Sequence, residues 1–147
     1  MGATDGLQAT PARSAQRRLQ AARLVRLLSP AALSLGGFAS AELLVRLRDG
    51  LWRPDVSVAL DELPVDGISH RAPVLVVELG PGAGPGRWLR AGAKAVWIIG
   101  DHSAQVHMAG APARDLRPPE DLFVPGLAAL SLPVVVARPG VGLRAVR

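Results

Sequence analysis

The sequence predicts a mixed α/β fold, with one N-terminal amphipathic helix packed against a curved, largely antiparallel sheet. Three observations predict it. The 147 residues are 49% hydrophobic, which suits a single domain able to bury a core. Apolar residues fall at helical spacing between positions 14 and 28. From residue 42 onward the apolar runs are short, alternate with period two or are apolar throughout, and are separated by turn residues.

The helix is expected over Ser14 to Leu28, with Leu19, Ala22, Val25 and Leu28 mostly on one face, Ser14 as N-cap and Pro30 as stop. A competing reading exists for this region, because twin arginines, a moderately apolar segment and Ala39-Ser40-Ala41 imitate an export signal. Arg23 and Arg26 interrupt that segment and favour the amphipathic helix. No stretch is long and apolar enough to span a membrane.

Next, ELLVRLRD (42–49) sets Leu43, Val45 and Leu47 against Leu44, Arg46 and Arg48, the alternation of a half-buried strand. Asp49-Gly50 then offers a hairpin turn, since both residues tolerate positive φ. A strand over Asp55 to Leu60 follows Pro54, which belongs at a strand start. The polar, turn-rich segment 61–71 has no helical periodicity and is short for a parallel crossover, so a strand at 73–79 is expected to run antiparallel to 55–60 or to pair elsewhere. A short helix at Arg87 to about Ala91, a strand at 95–99, another near 105–108 and at least one final strand within LFVPGLAALSLPVVVA complete the series. The rest, including Pro118-Pro119, reads as loop.

Charge and composition exclude some classes. The net charge is +5, which would suit a polyanion such as nucleic acid. The basic residues are Lys94 and sixteen arginines (17 minus one), and with abundant Ala, Gly and Pro this pattern also fits GC-rich coding. Without cysteine there is no disulfide framework and no thiolate metal site. His70, His102 and His107 are not at zinc-ligand spacing. The segment GPGAGPGR lacks the Lys-Ser/Thr pair of a phosphate-binding loop, and its prolines remove backbone donors.

Two acids stand out. Asp55 opens the run RPDVSVAL and Glu78 lies near the end of PVLVVEL, so antiparallel pairing brings them together. The second run is apolar on both faces and belongs inside a sheet, where an uncompensated carboxylate costs several kcal/mol. Two converging carboxylates also repel each other, and Mg²⁺ or Mn²⁺, which prefer oxygen ligands, would relieve both costs. The alternative is structural: Glu78 at a solvated strand end and Asp55 capping a turn, or each paired with Arg53 or Arg71.

The order RPDVSV, APVLVVELG and RWLRAGAKAVWIIGD resembles the core of the Uma-two family of restriction-endonuclease-like proteins, within the PD-(D/E)XK nuclease superfamily. There a PDV strand, a VVEV strand, a helix ending in Y-x-x-A-G-V and a YWIVD strand recur in this order. DGLQATPARSAQRRLQAARLVRLL and FVPGLAALSL resemble the family's opening and closing segments, so the likeness covers most of residues 1–147, read as one domain short of its first strand region. Each motif is short, and the specificity lies in their order. The resemblance implies that Asp55 and Glu78 are the metal-binding carboxylates, that Mg²⁺ or Mn²⁺ is the cofactor, and that the reaction is hydrolysis of DNA.

The chain departs from the family pattern at three places. The family's helical lysine falls on Gly84, in a segment that is also shortened. Arg87, a helical turn away, would supply charge as the tentative third catalytic residue, but a guanidinium cannot act as a base. Lys94, the only lysine, is expected at a helix-to-strand turn. An upstream glutamate is replaced by Gly2, which a misassigned start codon would explain, and a histidine by Arg17. The expectation is therefore a nuclease fold with a weakened or inactive site, or a non-catalytic relative that binds nucleic acid or protein. DNA as partner, no membrane, a cytoplasmic location and a homodimer go with it.

Overall fold

The structure, a computed structural model, describes residues 15–62, 64–80 and 84–138. The expectations for Ser14 and for the segments before it lie outside these residues. Helix α1 spans Ala15–Ser34 and runs through Pro30, which was expected to end it. Proline cannot donate to the carbonyl four residues back, yet packing overrides that loss: Leu28 and Ala32, on either side, are fully buried. The true stop is Gly36-Gly37. Gly36 adopts φ 84°, and Gly36 N–H and Gly37 N–H donate to the Leu33 and Ala32 carbonyls, the paired bonds of a Schellman cap. The buried face is also rotated from the expected one. It carries Ala21, Leu24, Leu28 and Ala32, while Leu19 is exposed.

The main sheet has the order β1 (Phe38–Ser40), β4 (Val56–Ala59), β6 (Leu75–Leu79), β7 (Ala95–Ile99), β8 (Ala104–Met108) and β9 (Ala111–Leu116). Four of its five pairings are antiparallel, and β6 with β7 is parallel. That parallel step requires a crossover, supplied by the segment holding helix α2 (Pro85–Arg90). Helix α1 covers one face, where Leu24 and Leu28 join Val56, Val58, Leu75, Val77, Trp97 and Ile99 in the larger core. On the other face Trp88 of α2 and Ala93 pack on Ala59, Val76 and Val96. Leu75 to Val77, Val96 and Trp97 are inaccessible, whereas Val74 and Ile98 at the margins are half-buried.

Several elements differ from their sequence reading. The strand at 42–48 is β2 (Leu44–Leu47), and it lies outside the main sheet, in a three-stranded sheet with β3 (Gly50–Trp52) and β5 (Ile68–Ser69). Its hairpin partner is β3, with Leu47 opposite Gly50, rather than the strand at 55–60. Segment 61–71, read as connection, contributes β5 parallel to β2. Strand β1 was not anticipated, and β9 lies where loop was expected. The closing segment forms β10 (Asp121–Phe123) and β11 (Ser131–Pro133), and then Val134–Ala137 is a helical turn, α3, despite three consecutive valines. Gln20 and Arg23 of α1 donate to the Ala137 and Val136 carbonyls, so tertiary hydrogen bonds hold that turn against β-branched preference.

Candidate active site

Strand β4 pairs antiparallel with β6 as far as Val56 opposite Val77, and continuing that register by one position would set Asp55, which precedes β4, across from Glu78. Opposed residues in such a pair have Cβ atoms about 4.5–5.5 Å apart. A side-chain bond fixes the juncture: Leu79 N–H donates to Asp55 Oδ2 at 2.7 Å. Asp55 is 3% exposed and Glu78 8%. Both acids are therefore inside the fold, and the alternative in which Glu78 sits at a solvated strand end does not describe it.

The cation on Asp55 comes from the helix. Arg17 Nη2 donates to the same Oδ2 at 2.8 Å, with the Arg17 side chain 28% exposed. Neither arginine named for this role reaches the acids: Arg53 pairs with Glu42 at 3.3 Å and Arg71 with Asp61 at 3.5 Å. From the sequence, Arg17 stands only as a substitute for a family histidine. Its position carried a stronger signal, because 17, 21, 24, 28 and 32 form one helical stripe, and the last four are the buried face of α1. A charge on a buried stripe needs a partner.

Arg87 takes part in a second cluster. Its Nε donates to Asp49 Oδ2 at 2.7 Å and its guanidinium lies 3.7 Å above the Trp52 ring. Gly84 is the N-cap of α2, at φ 103°, and Arg87 is the third residue of the helix. Lys94 precedes β7, and Ile98, not Lys94, pairs with Glu78. Four strand positions separate Lys94 from that row, about 13 Å.

The row itself extends past the acids. Glu78 faces Ile98 on β7, Ile98 faces Gln105 on β8, and Gln105 faces Asp115 on β9. Gln105 donates to Asp115 at 2.8 Å, and its Oε1 lies 3.0 Å from His107 Nε2. One sheet face thus carries acids at one side and a hydrogen-bonded Asp-Gln-His group at the other. On β4 and α2, Ser57 Oγ and Trp88 Nε1 are buried with no hydrogen-bond partner among the described residues.

The donors suit a hard cation. Mg²⁺ is commonly held by one or two carboxylates with water and substrate phosphate completing the shell, and Asp55 with Glu78 supplies two. No group of three or more His, Cys, Asp or Glu forms a cation site among the described residues, so an all-protein cage is not what these residues offer. No described helix is long and apolar enough to cross a membrane.

The sequence matches no protein-family model and no curated protein. The fold is similar to the crystal structure of a proposed nuclease belonging to DUF820 from Anabaena variabilis ATCC 29413. The TM-score is 0.73 at 18% identity, covering 86% of this chain and 82% of that one. The likeness establishes a nuclease-like fold for this chain.

Proposed function

We propose that this chain is a restriction-endonuclease-like protein of the Uma-two type that engages DNA and holds Mg²⁺ or Mn²⁺ between Asp55 and Glu78, with phosphodiester hydrolysis very weak or absent. The observation that carries the reading is the placement of two buried acids across one antiparallel juncture, with Asp55 fixed by the Leu79 N–H. When bound, such an ion polarises a scissile phosphate and lowers the pKa of coordinated water. The chain's own part is positional. Strands β4 and β6 hold the carboxylates, and the Leu79 amide and Arg17 orient Asp55.

Weak hydrolysis follows from what stands at the remaining positions. Gly84 has no side chain where the family carries lysine, and Arg87 is engaged with Asp49 and Trp52. Proton transfer or electrostatic help from a positioned side chain is typically worth about 10²–10⁴-fold. A second reading rests on Arg17: a guanidinium already compensates Asp55 without a metal, which suits a non-catalytic binding module. A cytoplasmic location and a homodimer remain part of the proposal.

Incubating supercoiled plasmid with Mn²⁺ and the protein, beside the Asp55→Ala/Glu78→Ala double variant, tests catalysis. The expected result is equal background nicking by both. Robust nicking by the parent alone would show that catalysis survives the missing lysine.

A further inference from the structure

The β2–β3 hairpin and helix α2 enclose a cleft of about 560 Å³ lined by Leu47, Arg48, Asp49, Arg87, Arg90 and Ala91. Three of these residues are arginines and one is an acid. Asp49 is matched by Arg87, whose hydrogen bond holds the Asp49 carboxyl below its ordinary value. Arg48 and Arg90 are exposed, and neither makes an ion pair or side-chain hydrogen bond among the described residues. They are the cleft's uncompensated charge.

The walls are fixed before any ligand arrives. Arg87 joins α2 to the hairpin through Asp49 and through its stacking on Trp52. Arg90 lies against its own helix, with Nη1 2.9 Å from where a Cβ on Gly86 would stand. With Asp49 engaged by Arg87, the like charges of Arg48 and Arg90, gathered from two elements, repel each other, and a polyanion relieves that repulsion.

We infer that this cleft binds the phosphate backbone of a single nucleic-acid strand, with Arg48 and Arg90 as its two phosphate contacts. The inference rests on the nucleic-acid partner proposed above but not on metal binding or hydrolysis. Its location supports an extended ligand. Trp52 precedes Asp55 by three residues, a span of at most about 11 Å. Val45 of the hairpin sheet, Trp88 of α2 and Val76 of β6 share one apolar cluster, which places the cleft on the sheet face that carries Asp55 and Glu78. A strand seated on the arginines passes near the acids.

Fluorescence anisotropy with a labelled single-stranded oligonucleotide, in EDTA over a range of salt concentrations, tests this. Arg48→Gln/Arg90→Gln is expected to weaken binding by about 10-fold or more. It should also reduce the slope of log K against log salt by roughly 1.4, since single strands contribute ~0.7 per phosphate contact. Arg114→Gln/Arg117→Gln, which removes the same charge from β9 and the residue after it, is expected to change affinity less than about twofold. Absence of binding by the parent, an unchanged affinity and slope in the first variant, or an equal loss in the second would each overturn the assignment. Because EDTA removes divalent ions, a chain that fails to bind Mn²⁺ can pass this test, and one that binds Mn²⁺ can fail it.

Discussion

Arg17, Asp55 and Arg87 show how far single residues could be read. Asp55 was legible because an acid opening an apolar strand raises a question of compensation. Its cation was not read, although Arg17 continues the stripe of Ala21, Leu24, Leu28 and Ala32, because the face expected to be buried carries Leu19, Ala22 and Val25. Arg87 is expected beside the acids on helical spacing from position 84, and its described contacts run to Asp49 and Trp52. Its partner Asp49 gives a pH test. The Asp49 carboxyl lies below its ordinary 3.8, through the Arg87 hydrogen bond first and that of Trp52 after the opposing effect of desolvation. A lowered value in the folded state means the interaction is fully present above the ordinary carboxylate pKa and is lost as pH falls through the lowered one. The Trp52 indole N–H, which donates to Asp49 Oδ1 at 3.1 Å, should therefore shift in NMR spectra at a pH below the ordinary Asp range. In Arg87→Gln that midpoint should move upward. An identical midpoint in both proteins would mean the pair does not form in solution.

Elements were legible where period and burial agreed. Strands β4, β6 and β7 are nearly continuous apolar runs, and all three appear close to their expected bounds. Strand β9 was not legible, because APARDL is exposed at five of six positions and contains a proline; edge pairing with β8, not burial, makes it a strand. Strand β1 was hidden by small residues that resemble a cleavage site, and what defines it is backbone closeness. A Cβ on Gly37 would stand 2.0 Å from the Ala59 carbonyl oxygen, beside the Phe38–Ala59 pair. Backbone cannot yield as a flexible side chain does, so Gly37→Ala should destabilise the fold by about 1–3 kcal/mol, read from urea unfolding. A change within experimental scatter would contradict the β1–β4 pairing.

At the scale of the molecule, the antiparallel relation of β4 and β6 was legible from the length of the connection, and it is the step that brings the acids together. The separate sheet of β2, β3 and β5 was not, since alternation identifies a strand but not the sheet it joins. That sheet, with α2, builds the arginine cleft. The central claim is that this arrangement makes Asp55 and Glu78 one divalent-cation site. Calorimetric titration with Mn²⁺ tests it most directly, comparing the parent with Asp55→Ala and Glu78→Ala. The account predicts saturable heat for the parent and its loss in each variant; the same heats in all three proteins would contradict it.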